Sequence, residues 1–216
     1  MSKLVPSLKN SIFNSETLEV LTDFSEIELD SVLEDGVLKD IPIVRTVVAL
    51  CKTGLNIKER IFIKQTLSFI QEFNSGSLSD EKYIEHYQKL NDNPKLAEKE
   101  MSVIINFLAN SSEEELSKIS ARLYQAYVEG AISWNKFSEL IEVNRRMFVD
   151  DYIVLKALKL NRPEINEKYR LSRLIGLGLV VEYDSPATKQ PVIQYAGLMI
   201  LATRGQESCN IRTGFL

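Results

Sequence analysis

Apolar residues recur at helical spacing over most of the first 160 residues. In one clear pattern, residues 62–73, the apolar positions are three, four and seven residues apart and polar residues stand between them. Other helical patterns begin with a residue that favours a helix N-terminus: Ser15, Ser79, Pro94, Ser112 and Ser133. Ser112 and Glu115 also have the spacing of a capping box. The chain is therefore predicted to be mainly α, with a helical bundle as its N-terminal domain over residues 1–162.

The pattern changes after Arg162-Pro163, because the residue before a proline disfavours helix. A short helix is predicted over residues 164–175, and Gly176-Leu-Gly178 ends it. The runs that follow are rich in β-branched and aromatic residues, with Pro and Gly between them. They predict a small C-terminal α+β module over residues 163–216, with three candidate strands: 179–183, 192–195 and 198–202.

Composition narrows the classes of function. Of the 216 residues, 44% are hydrophobic and 26% are charged, as in ordinary globular proteins. The 26 Lys and Arg residues against 30 Asp and Glu residues give a net charge of −4, which argues against general binding of polyanions. One His and two Cys are too few for a zinc site, so we expect no metal and no cofactor.

No motif indicates catalysis. His86 has no nucleophile at a recognisable spacing, so we interpret it as an ordinary surface or half-buried side chain. Asp150 and Asp151 are adjacent on a predicted helix and point about 100° apart, which favours a solvated face over a cation site. Gly176-Leu-Gly178 lacks the third glycine and the preceding strand of a dinucleotide site. We therefore predict that the chain is not an enzyme and has no small-molecule substrate.

The segment 41–73 combines dense apolar sequence with local positive charge. Five cations against Glu59 and Glu72 give it a net charge of +3 in an acidic chain. Its most apolar part, residues 41–57, is too short and too polar to span a bilayer. The N-terminus lacks the apolar stretch of a signal peptide, so we expect a cytoplasmic chain.

Two interpretations of segment 41–73 are open. It forms either a buried helical pair in the core or an effector segment that leaves the core and lies on a membrane surface or a protein partner. The second interpretation places the chain at the inner face of the membrane as a peripheral protein. It expects contact through these residues: Arg45, Lys52, Lys58, Arg60, Lys64, Phe62 and Phe69.

The C-terminal module resembles the winged-helix modules of bacterial transcription regulators. The resemblance rests on Leu171-Ser-Arg-Leu-Ile-Gly-Leu-Gly-Leu-Val180, the predicted hairpin and Ala202-Thr-Arg-Gly205. It implies DNA contact through the helix and the wing, with these candidate residues: Lys168, Arg170, Arg173 and Lys189. Six cations against five acids in residues 163–216 leave little net charge for binding phosphates, and winged helices also serve as protein-contact modules.

A second resemblance covers mainly residues 36–73. Gly36-Val-Leu-Lys-Asp-Ile-Pro42-Ile-Val, the Lys-Thr-Gly54-Leu turn and Ile-Lys-Glu-Arg60, followed by Phe-Ile-Lys64, are similar to the Abi-alpha type of bacterial abortive-infection proteins. This resemblance implies a role in phage exclusion by an intracellular, non-enzymatic route. The predicted function is thus that of a non-enzymatic intracellular protein acting through protein or membrane-surface contacts. The alternatives are a winged-helix DNA-binding regulator and an assembly scaffold.

Overall fold

The computed structural model describes residues 3–22, 36–51, 54–75, 78–160, 168–184 and 189–193. The chain divides into two compact units, residues 1–145 and 146–216. In the described residues there are ten α-helices, one short 3-10 helix and two strands, so the prediction of a mainly α fold is confirmed. The predicted domain boundary after residue 162 lies outside the described residues.

The first unit contains eight α-helices in its described part, and a 3-10 helix over Gly36–Asp40 precedes the third of them. Their bounds are α1 (Leu4–Ile12), α2 (Ser15–Thr22), α3 (Pro42–Leu50), α4 (Ile57–Ser75), α5 (Asp80–Asp92), α6 (Pro94–Asn110), α7 (Glu114–Val128) and α8 (Trp134–Arg145).

Several helix starts follow the predicted local chemistry. Ser79 Oγ accepts a hydrogen bond from the Lys82 amide at 3.3 Å at the start of α5, and Asn93 Oδ1 accepts from the Leu96 amide at 3.1 Å just before Pro94 opens α6. The predicted capping box at Ser112 is wrong, because the N-cap of α7 is Glu113, whose side chain makes no capping hydrogen bond.

Helix α4 lies at the centre of the first unit and packs most extensively on α7. It also contacts α1, α2, α3 and α6, so its second half is covered on nearly every side. Leu67, Phe69 and Ile70 are fully buried there. Burial of large apolar side chains contributes about 1.5–3 kcal/mol each, so α4 contributes substantially to the stability of this bundle.

The second unit contains two helices and a hairpin in its described part: α9 (Val149–Lys159), α10 (Lys168–Gly176), β1 (Val180–Asp184) and β2 (Lys189–Ile193). The strands pair antiparallel, with Val180 opposite Ile193 and Asp184 opposite Lys189. The first two predicted strands are therefore present with shifted ends. The third, residues 198–202, lies outside the described residues.

Candidate functional site

The end of α3 and the start of α4 form an exposed apolar and cationic surface, which we call the α3–α4 tip (Leu50 and Leu55–Arg60). Leu50 is 54% exposed and Ile57 is 76% exposed, although both are large apolar residues. A shallow groove of about 640 Å³ lies along the tip and is lined by Leu55, Asn56, Ile57, Lys58 and Arg60. Lys58 is exposed on the same turn as Ile57.

Local hydrogen bonds fix the shape of the tip. The Asn56 amide donates to Glu59 Oε2 at 2.7 Å, and the Glu59 amide donates to Asn56 Oδ1 at 3.1 Å, so the two residues form a reciprocal cap on α4. Gly54 precedes this cap with φ +95°, a conformation that other residues adopt at a cost. The cap holds Ile57 and Lys58 on the first turn of α4, facing outward.

Two groups at or beside the tip, the Cys51 thiol and the Glu59 carboxylate, are half-buried. Burial, followed by the nearby Glu59 carboxylate, raises the pKa of the Cys51 thiol, so this free cysteine stays protonated at neutral pH. Glu59 itself is held by the Asn56 amide. Lys58 and Arg60 against Glu59 leave the tip with a net charge of +1.

The seven residues predicted to contact a membrane or partner lie in different environments. Arg45 and Lys58 are exposed, whereas Arg60 is half-buried and donates from Nε to the Leu55 carbonyl at 3.4 Å. Lys64 pairs with Glu114 at 3.4 Å. Phe62 is half-buried, Phe69 is fully buried and Lys52 lies outside the described residues.

This arrangement brings only part of the predicted segment to the surface. Ile43, Val44 and Val47 of α3 are buried, and so is α4 from Ile63 to Ile70 with the exception of Lys64. Segment 41–73 is thus a helical pair whose body belongs to the core. The candidate contact residues that it exposes in the described part of the chain are Lys58 of the tip and Arg45 on α3.

Two of the four residues predicted to contact DNA form ion pairs within the second unit. Arg170 Nη2 lies 2.8 Å from Asp150 Oδ2, and Arg173 Nε lies 3.2 Å from Asp151 Oδ2. The Arg173 guanidinium also lies 4.5 Å from the centre of the Phe148 ring. The side chains of Lys168 and Lys189 lie outside the described residues. Each described guanidinium is therefore already paired with a carboxylate.

A buried polar cluster, missed from the sequence, joins three helices of the first unit. We call it the Glu100 cluster: His86, Glu100, Tyr124 and Tyr127. The carboxylate of Glu100 is fully buried and accepts from His86 Nε2 at 2.9 Å, from the Tyr124 hydroxyl at 2.8 Å and from the Tyr127 hydroxyl at 2.7 Å. His86 is buried, so its interpretation as a surface or half-buried residue is wrong.

The hydrogen bonds set the charge of the Glu100 cluster. Burial acts to raise the pKa of Glu100, but the donors from His86, Tyr127 and Tyr124 outweigh it and hold that pKa below its usual 4.5. Burial, followed by the Glu100 carboxylate, raises the pKa of Tyr124 well above 10. Burial also raises the pKa of Tyr127. Glu100 is therefore ionised and both tyrosines are protonated at neutral pH.

The Glu100 cluster has the chemistry of a structural network. His86 hydrogen-bonds to the Glu100 carboxylate and the Tyr124 hydroxyl, and the hydrogen bonds described for it include no Ser, Thr or Cys side chain. The described residues also contain no group of three or more His, Cys, Asp or Glu side chains that could hold a metal ion. A signal for Glu100 exists in the sequence, because it falls on the apolar face of α6 between Ala97 and Ile104.

None of the described helices is long and apolar enough to cross a bilayer. Comparisons with models of known protein families, with curated proteins and with solved structures give no match to this chain.

Proposed function

We propose that the chain is a non-enzymatic protein that binds an anionic membrane surface through the α3–α4 tip. The observation that carries the proposal is the exposure of Leu50 and Ile57 together with the exposed cation Lys58, in a chain whose net charge is −4. Each cation near an anionic leaflet contributes about 1 kcal/mol, and each buried large apolar side chain contributes about 1.5–3 kcal/mol. The tip supplies both a cation and exposed apolar side chains without any unfolding of the bundle.

The tip supports a narrower mechanism than release of the whole segment 41–73. Releasing α4 would expose Leu67, Phe69 and Ile70, which are fully buried inside the first unit. Their apolar character is explained by this packing, without any contact with a membrane. In the proposed mechanism Ile57 enters the boundary between headgroups and acyl chains while Lys58 and Arg45 approach lipid phosphates. The chain acts as a peripheral protein on the cytoplasmic side.

Vesicle sedimentation tests this function. The chain is expected to pellet with vesicles that contain phosphatidylglycerol, to stay in solution with pure phosphatidylcholine and to be released by salt. Ile57→Glu and Lys58→Glu are expected to weaken pelleting about fivefold or more each. The matched controls are Ile84→Glu and Lys95→Glu, which change exposed residues of α5 and α6. Absence of pelleting at low salt, or equal losses in the controls, would overturn the proposal.

The resemblance to abortive-infection proteins extends the proposal to phage exclusion. Residues 36–73, which carry that resemblance, contain the whole tip. A cell that expresses the chain is expected to plate phage less efficiently than a cell that expresses Ile57→Glu at the same level. If the two cells plate phage equally, the membrane contact through Ile57 has no role in phage exclusion.

DNA binding by the second unit is the second candidate function. The order α9, α10, β1 and β2 supports a winged-helix module in which α10 is the reading helix and the hairpin is the wing. The ion pairs of Arg170 and Arg173 disfavour phosphate contact, because each cation is already neutralised. A gel shift that weakens steeply with salt and is lost in Arg170→Ala plus Arg173→Ala would establish DNA binding over a protein-contact role.

A further inference from the structure

Helix α9 is apolar on two opposite sides. Its inner side places Tyr152 and Leu155 in the core of the second unit, where both are fully buried. Its outer side leaves Ile153 59% exposed and Leu160, just after the helix, 52% exposed. A surface helix of a globular protein normally has a polar outer side, and an all-round apolar helix is normally covered on both sides.

The exposed apolar residues of α9 share one stripe. Ile153 and Leu160 are seven positions apart, so they lie two turns apart on the same side, about 10 Å along the axis. Lys156 and Ala157 stand between them, and Val149 extends the stripe by one turn. We call these five residues the α9 outer stripe.

The charge of the α9 outer stripe is positive. Lys156 is exposed at its centre and Lys159 is exposed nearby. The ion pairs described in this unit join Arg170 to Asp150 and Arg173 to Asp151, and neither uses a lysine of α9. The stripe is therefore complementary in charge to a partner surface that offers apolar side chains and a carboxylate.

We propose that the α9 outer stripe is a docking surface for an amphipathic helix of a partner protein, with an acidic edge. Two anchors one heptad apart match the i, i+7 spacing of the apolar residues on such a helix. A carboxylate of the partner pairs with Lys156. This surface belongs to the second unit and is independent of the α3–α4 tip.

A designed peptide tests the docking surface. The probe is a synthetic amphipathic helix with leucines at heptad spacing and glutamates along both edges, and its binding to the full chain is measured by fluorescence anisotropy. Ile153→Glu plus Leu160→Glu is expected to weaken binding about tenfold or more. The control is Ile84→Glu, which changes an equally exposed isoleucine of the first unit. Circular dichroism of each variant verifies that the helices are retained.

The charge of the probe tests the role of Lys156. Lys156→Glu is expected to weaken binding of the acidic peptide about fivefold and to strengthen binding of the same peptide with lysines at its edges. Lys95→Glu is expected to change neither. Equal binding of both peptides by the wild-type chain would overturn the proposal. So would a double variant that loses binding to phosphatidylglycerol vesicles while its affinity for the peptide is unchanged, because the stripe would then be a membrane contact.

Discussion

At the scale of single residues, Glu100 shows how the bundle accommodates a buried charge. Three side chains from α5 and α7 donate hydrogen bonds to its carboxylate, and each of them also packs against other aromatic rings. The His86 ring lies edge-on to Tyr124 and Tyr127, at 5.9 and 5.5 Å between ring centres. Hydrogen bonds to a buried charge offset the cost of removing it from water.

Replacing the carboxylate tests this network. Glu100→Gln keeps the size of the side chain but brings an amide donor against hydroxyl donors, so the free energy of unfolding of the first unit is expected to fall by about 2 kcal/mol. Trp134 is the single tryptophan and its ring lies 5.3 Å from Tyr127, so its fluorescence during urea unfolding follows this unit. Glu98→Gln, an exposed site on α6, is the control. Equal losses in the two variants would contradict the network.

The lowered pKa of Glu100 also predicts a dependence on pH. A carboxyl whose pKa is lower in the folded state stabilises that state fully above its unfolded value, here 4.5. This stabilisation is lost as the pH falls below 4.5 and through the folded pKa. Urea unfolding followed at Trp134 from pH 7 to pH 3 is therefore expected to show a larger loss in the wild type than in Glu100→Gln. Parallel curves would show that other acids, such as Glu114, account for the whole effect.

At the scale of elements, α4 buries polar positions that its sequence pattern places on an exposed face. Periodicity predicts one apolar face and one polar face, yet Gln65, Thr66 and Ser68 are also buried. The Ser117 hydroxyl donates to Gln65 Oε1 at 2.6 Å, and the Thr66 hydroxyl donates to the Phe62 carbonyl at 2.7 Å. These partners come from another helix or from the backbone, so a pattern of residue types along one helix does not identify them.

The contacts of Asp151, in the first turn of helix α9, stabilise the start of that helix. Asp151 is fully buried, and its Oδ2 accepts from the Phe148 amide at 2.9 Å and faces Arg173. Asp151→Ala is expected to destabilise the second unit by about 1–2 kcal/mol, because the Phe148 amide loses its acceptor and the Arg173 guanidinium loses its ion pair. The adjacent Asp150→Ala removes a more exposed ion pair and is expected to cost about 0.5 kcal/mol or less.

Amide hydrogen exchange in the full chain measures this difference. The amides of α9 and α10 are expected to exchange faster in Asp151→Ala than in Asp150→Ala, while the amides of α4 stay unchanged in both. Equal protection in the two variants would mean that the buried carboxylate does not hold the start of α9.

At the scale of the whole molecule, the sequence predicts the helical class and most helix starts because these depend on local chemistry. Ser79, Pro94 and Ser15 each stand within one residue of an observed helix start. Which part of segment 41–73 is exposed depends instead on long-range packing, since α1, α6 and α7 cover α3 and α4. The sequence therefore identifies the cationic apolar segment, whereas long-range packing determines that the α3–α4 tip is exposed.

In the proposed mechanism, Ile57 enters an anionic bilayer while the bundle stays folded. The most direct measurement attaches an environment-sensitive fluorophore at Ile57→Cys in a chain that also carries Cys51→Ser and Cys209→Ser, with Ile84→Cys as the control position. On adding phosphatidylglycerol vesicles, the emission at position 57 is expected to shift to the blue and the emission at position 84 to stay unchanged, with Trp134 emission constant. An unshifted probe at position 57, or equal shifts at both positions, would contradict the account.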